Sequence, residues 1–264
     1  SVKEITNAVT YKNIPQSARD LYTLDGNTWT DAAGNTIEVV EQAAFSPATT
    51  LFASGEEGAW YDPSDLSTLF QDSAGTTPVT TNGDPVGLML DKSGNGRHAF
   101  QTVASKRPIY SVVSGVYSLV FDGVDDFLET STPSVLGNGS RGVFASLKME
   151  QTTQGYEHIV HSGAPGTVTA YGLCSRVGNV DNLGNHYWGS VFNSGIVCDD
   201  VGADVFYVNK NGSSSSYGRY STGATAAETH TANTDTGSYR IFSRMAASSE
   251  HGKGNLFGLV LIDR

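Results

Sequence analysis

The stretch Asp91-Lys-Ser-Gly-Asn-Gly-Arg-His98, followed by Phe121-Asp-Gly-Val-Asp-Asp-Phe-Leu128, decides the fold. In the first segment Asp91, Ser93 and Asn95 fall on alternate positions and the run reaches Gly96. That spacing turns short oxygen-bearing side chains toward one point while a glycine lets the chain reverse. The second segment is an apolar strand end, an Asp-Gly turn and two adjacent acids before the chain becomes apolar again. Together they predict two loops at one edge of a β-sandwich, fixed by Asx turns or by a shared cation.

Both options stand at this stage. Asp91-x-Ser93-x-Asn95-Gly96 imitates the first half of a calcium loop, with glycine at the sixth place. The twelfth place is Thr102, where such loops need a bidentate glutamate. A calcium ion here would borrow oxygens from Asp122, Asp125 or Asp126. The other option is that these side chains cap backbone N–H groups and hold no metal.

Outward from these loops, sparse charge and abundant Gly, Ser, Thr and Val favour short strands joined by tight turns. A net charge of −11 with no basic stripe argues against a nucleic-acid partner. No apolar run reaches the roughly 18 residues of a membrane span, and the opening Ser-Val-Lys-Glu-Ile shows no secretion signal. Cys174 and Cys198 are too few for a disulfide framework; two buried thiols or a single bridge are the alternatives.

Residues 1–47 alternate β-prone runs with turn chemistry, notably Asp25-Gly26, and predict a three-stranded meander that serves as a small attachment unit. Residues 48–57 are a connector and residues 58–264 the sandwich. Asp62, Pro63 and Asp65 carry N-cap signals, and with Leu66, Leu69 and Phe70 on one face they predict a short two-turn helix. Val143, Ala145, Leu147 and Met149 alternate as a half-buried strand. Val205–Val208 opens a hairpin closed at Asn209–Gly212, with Ser213–Ser216 as a loop tip. Further strands are expected over Ser238–Arg244 and Leu256–Ile262.

The segments Gly58-Ala-Trp-Tyr-Asp-Pro-Ser-Asp-Leu66, Asp91–Ala99, Arg107-Pro-Ile-Tyr110, Leu119–Leu128 and Asn255–Ile262 resemble the concanavalin A-like (laminin-G-type) jelly rolls of phage and prophage structural proteins. The resemblance covers about residues 58–264. It implies an all-β jelly-roll sandwich of two antiparallel sheets, with rim loops that bind sugars or proteins. It does not fix a function, because one fold serves lectins, glycanases and virion parts alike.

For catalysis, the Glu-x-Asp-x-x-Glu pattern of the glucanase branch is absent, and so is a Gly-x-Ser-x-Gly elbow. Neighbours such as Asp125-Asp126 or Asp199-Asp200 point to opposite faces of a strand, and the six histidines show no metal spacing. The chain is therefore expected not to be an enzyme. For sugar binding, Asn185-His186-Tyr187-Trp188 is the first candidate, with Tyr171, Tyr217 and Arg219 behind it. Inward packing is the competing fate of Trp188, and of Trp29 and Trp60.

The expectation is a non-enzymatic virion protein of a tailed phage: a tail fibre, spike or baseplate component binding a host-surface glycan or protein receptor. It would be made in the host cytoplasm, contact other virion proteins, and form a homo-oligomer, with a trimer suited to a fibre. The alternatives are a capsid head-decoration or head-fibre protein, and a carbohydrate-binding module or glycan hydrolase.

Overall fold

The computed structural model describes strands 22–25, 28–31 and 36–38, and residues 46–263 apart from 134–136, 164–168, 188–189, 232–233, 235–237 and 245–248. The chain divides into two compact units, Ser1–Phe45 and Ser46–Arg264. In the first, β1 (Tyr22–Asp25), β2 (Thr28–Asp31) and β3 (Thr36–Glu38) form an antiparallel meander with Leu24 opposite Trp29 and Trp29 opposite Ile37.

The second unit opens with one helical turn, α1 (Pro47–Thr50), and continues almost wholly in strands. These are β4 (Glu57–Tyr61), β5 (Leu69–Phe70), β6 (Leu88–Met89), β7 (Ala99–Phe100), β8 (Ile109–Val113), β9 (Val116–Asp122) and β10 (Leu128–Pro133). Then come β11 (Arg141–Met149), β12 (Tyr156–Ser162), β13 (Tyr171–Val177), β14 (Asn182–His186) and β15 (Val191–Val197). The last are β16 (Asp204–Asn211), β17 (Ser214–Arg219), β18 (Ala224–Thr229), β19 (Ser238–Ile241) and β20 (Lys253–Asp263).

Two antiparallel sheets result, a jelly-roll-like sandwich. One runs β15-β14-β13-β12-β19-β10-β7-β6-β5; the other runs β18-β17-β16-β11-β20-β9-β8, with β4 also paired to β20. The core lies between them. Val143, Ala145, Leu147 and Met149 of β11 meet Phe206 and Val208 of β16 on one side. Leu128, Tyr171, Leu173 and Ile241 face them from the other sheet. Every second residue of β11 is buried, as a strand with one covered face requires.

The helix expected after Asp62 shrinks to a single 3-10 turn, Leu66–Thr68. Its would-be capping residues close local turns instead: Asp62 Oδ1 accepts from the N–H of Ser64 at 3.0 Å, and Asp65 Oδ1 from that of Ser67 at 3.2 Å. Lys92 then bridges both carboxylates at 2.8 and 2.9 Å, and Leu69 and Phe70 leave to pair with β6. Ser213–Ser216 is not a loop tip, since β17 begins at Ser214; the hairpin turns at Gly212, whose φ is 58°, and Ser213. The strand at Ser238 stops at Ile241, where Phe242 takes a φ of 62° and stacks on Phe121 with ring centroids 4.1 Å apart. Both cysteines are free thiols and buried.

Candidate functional site

Alternation along β11 and β16 sends Val143, Ala145, Phe206 and Val208 inward, so Phe144 and Tyr207 must face outward. Strand register sets the two in a row: Tyr207 pairs with Phe144, Phe144 with Val260, and Val260 with Trp60. The Phe144 and Tyr207 rings stack at 5.8 Å with 22° between their planes. On the other side Tyr207 pairs with Gly218, and a Cβ there would meet its ring at 2.2 Å. The ring thus lies across the glycine. At the far end of the row, the Lys92 ammonium stands 4.4 Å over Trp60.

Beside this row opens a cavity of about 440 Å³ lined by Leu51, Ser140, Gly142, Phe144, Asn209 and Asn211. Behind it are two buried cations, Arg141 and Lys210. The Arg141 guanidinium donates to the carbonyl of Gly137 at 2.8 Å and to Thr234 Oγ1 at 2.9 Å. The Lys210 ammonium donates to Asn138 and to the carbonyl of Gly212. Burial, together with Arg141, pushes the Lys210 pKa down to about 8. Among the described residues neither cation has a carboxylate partner within 4.0 Å. A flat aromatic row, neighbouring amides and a cavity of this size can seat a sugar ring: aromatic faces take its apolar side and amides its hydroxyls.

The residues singled out from sequence lie elsewhere. Tyr171, Asn185, Tyr187 and Tyr217 are completely buried and form no exposed platform. Tyr171 lies under the Arg141 guanidinium, 4.9 Å from its ring centroid, and the other three make an interior network. Asn185 accepts from the N–H of Gly172 at 3.2 Å and donates to Tyr217 Oη at 3.3 Å, and the hydroxyls of Tyr187 and Tyr217 both donate to Glu228 Oε1. Arg219 is held by Asp204, Nε to Oδ2 at 2.6 Å. His186 is half-buried on the opposite face of its strand, stacked on Tyr156 at 4.3 Å. Trp188 lies outside the described residues, as does the Trp29 side chain.

Of the cation candidates, Asp91, Ser93 and Asn95 are engaged with the protein's own backbone. Asp91 Oδ1 accepts from the N–H groups of Trp60 at 2.9 Å and Ser93 at 2.8 Å; its Oδ2 accepts from Arg97 N–H at 3.0 Å and Ser93 Oγ at 2.8 Å. Asn95 turns its amide nitrogen, not its oxygen, inward, donating to the carbonyls of Glu56 and Gly58 at 3.0 and 3.1 Å. Asp122, Asp125 and Asp126 do come together, with one oxygen from each inside a 4.8 Å set. Burial and the Asp122 charge push Asp126 up to about 7, while its Oδ2 accepts from Asp122 N–H at 3.1 Å.

Two further groups lie outside the sites chosen from sequence, where Asp199 entered only as half of an adjacent pair. Asp199 is buried and pushed up to about 8 by desolvation and by Glu157 and Asp181, so it keeps its proton at neutral pH. His158, His186 and Glu250, distant in sequence, are brought together by strand pairing. Histidine spacing along the chain could not show this.

No protein-family model and no curated protein matches this sequence. Among solved structures, the chain is similar to domain 4 of AbnA, a GH43 extracellular arabinanase from Geobacillus stearothermophilus, in complex with arabinotriose. That match has a TM-score of 0.50 and 14% identity, covering 79% of this chain and 94% of the other. An arabinofuranosidase complexed with arabinofuranosyl-alpha-1,2-xylobiose matches at TM-score 0.59 and 11% identity over 83% of this chain. A Trypanosoma rangeli sialidase matches at 0.51 and 13% over 85%. This chain spans 62% of the arabinofuranosidase and 33% of the sialidase.

At these identities the likeness shows the fold. It also corrects the expectation of a tail-fibre or other virion protein: the similar structures named above are an arabinanase domain, an arabinofuranosidase and a sialidase. The expectation that the chain is not an enzyme falls with it.

Proposed function

We propose that this domain binds glycan chains on the outer face of its eight-stranded sheet, in the manner of a carbohydrate-binding module. The observation that carries the reading is the Phe144–Tyr207 row beside the cavity lined by Asn209 and Asn211. Large aromatic rings lying flat on a solvent-facing strand row do little for the core, yet match the apolar face of a furanose or pyranose. The similar domain bound to arabinotriose supports arabinose-containing oligosaccharides as the first ligands. Arg141 and Lys210 behind the cavity favour a second class, glycans bearing uronic acids, whose carboxylates those cations would attract.

The test is isothermal titration with arabino-oligosaccharides and with oligogalacturonides, using the parent protein and Tyr207→Ala. Saturable heat that is lost in the variant supports the reading. Absence of binding to both classes, or equal binding by the variant, overturns it.

A second reading, glycan hydrolysis, is favoured by the fold this chain shares with an arabinofuranosidase. Release of reducing ends from arabino-oligosaccharides by the parent protein would support it; a parent protein that releases none would remove it.

A further inference from the structure

The outer face of the nine-stranded sheet carries a separate cluster. β12, β13 and β14 pair so that His158 lies opposite Cys174 and Cys174 opposite Gly184. Two residues beyond Gly184, His186 falls on the same face, away from Asn185 and Tyr187. Glu250 reaches this face from the turn before β20, where its φ is 75° and its N–H donates to Gln154 Oε1. One ligating atom from each of His158, His186 and Glu250 falls within 4.8 Å of the others.

Geometry inside the cluster is specific. His158 is completely buried and its Nε2 makes no hydrogen bond, although Glu250 Oε2 stands 3.6 Å away. That gap is too long for a hydrogen bond. It does match the edge between two ligands of a tetrahedral ion with bonds of about 2.0–2.2 Å, roughly 3.3–3.6 Å. On the other side of the ring, His158 Nδ1 lies 3.4 Å from Cys174 Sγ. A proton on Nδ1, donated to sulfur, leaves the Nε2 lone pair aimed at the carboxylate, which is the tautomer a metal ligand needs.

The surroundings agree. Tyr156 clamps the His186 ring at 15° between planes, and His186 is half-buried, leaving room for water as a fourth ligand. Arg244 Nε pairs with the same Oε2 of Glu250 that faces His158, so a bound cation would share this oxygen with the guanidinium, which fixes the carboxylate's orientation.

We infer that His158, His186 and Glu250 form a binding site for one borderline divalent cation of the zinc class, with water completing a tetrahedron. Two nitrogens and one carboxylate suit zinc and its first-row neighbours, and are too few and too soft for calcium. The inference is independent of glycan binding, whose proposed face belongs to the other sheet.

The test uses metal-stripped full-length chain dialysed to equilibrium against zinc, with bound metal measured per chain, for the parent, His186→Gln and Glu250→Gln. One zinc per parent chain is expected, with affinity at least about tenfold weaker in each variant. Cobalt(II) substitution should give tetrahedral d–d absorption without a thiolate charge-transfer band, since Cys174 is an outer partner. Parent chain that retains no zinc, cobalt that shows octahedral or thiolate spectra, or variants that hold metal as well as the parent would each overturn the inference. Should a variant fail to fold, the parent stoichiometry and cobalt spectrum decide alone.

Discussion

The ring of Tyr207 lies across Gly218, so close that a Cβ at 218 would approach its Cζ to 2.2 Å. Position 218 therefore needs no side chain because the neighbouring strand supplies one. Gly218→Ala should cost little stability, under about 1 kcal/mol, since the obstructing atoms are the far end of a movable side chain. It should nevertheless tilt the ring off the sheet and weaken glycan binding by about 1 kcal/mol, roughly fivefold in Kd. Paired urea unfolding and titration calorimetry would check this. A variant as tight as the parent would show that Tyr207 is not a platform.

Asp91 ties the loop of residues 91–98 to β4 through four accepted hydrogen bonds. Asp91→Ala strands the N–H groups of Trp60, Ser93 and Arg97 and should destabilise the fold by about 2–4 kcal/mol. The loss should be the same in calcium and in chelator. A loss that appears only when calcium is present would instead make Asp91 a metal ligand.

Asp199 gives stability a definite pH dependence. Its folded pKa of about 8 lies above the roughly 3.9 of an unfolded aspartate. Between those values the unfolded chain releases the proton while the folded chain keeps it. Stability from this group is therefore complete below about pH 4, falls as pH rises, and is gone above about 8. Asp199→Asn should flatten this fall and exceed the parent at pH 9 by on the order of a few kcal/mol. Denaturant midpoints at pH 5, 7 and 9 measure it, and parallel profiles would refute the assignment.

Glu228 holds the hydroxyls of two buried tyrosines, Tyr187 and Tyr217. Glu228→Ala leaves both phenols without their acceptor inside the sandwich and should cost about 2–4 kcal/mol. Glu228→Gln, which keeps an acceptor oxygen, should cost markedly less. Thermal unfolding of the pair distinguishes a network from a surface carboxylate, for which both changes would be nearly silent.

The architecture was legible where one physical signal acted alone. Val143, Ala145, Leu147 and Met149 alternate, and all four are buried. The same alternation implied that Phe144 faces solvent, so the aromatic row was readable once inside and outside were assigned. The Asp62 helix was misread because Asp and Ser side chains compete with the helix for backbone N–H groups, and Lys92, from a distant loop, rewards the turn. Tyr171, Asn185, Tyr187 and Tyr217 looked like a binding surface because tyrosine and asparagine are as useful in a buried network as on a rim. His158 and His186 sit on strands separated by a third, so only the pairing of β12, β13 and β14 reveals their proximity.

Strand β20 takes β11 on one side and both β4 and β9 on the other. During translation β4 leaves the ribosome long before Leu259–Asp263 exists to receive it. Until then it is an unsatisfied edge carrying Trp60 and Tyr61. The eight-stranded layer can therefore close only after synthesis has passed residue 263, which makes folding late and dependent on distant encounters. A nascent chain halted earlier would offer chaperones and proteases a half-built sheet.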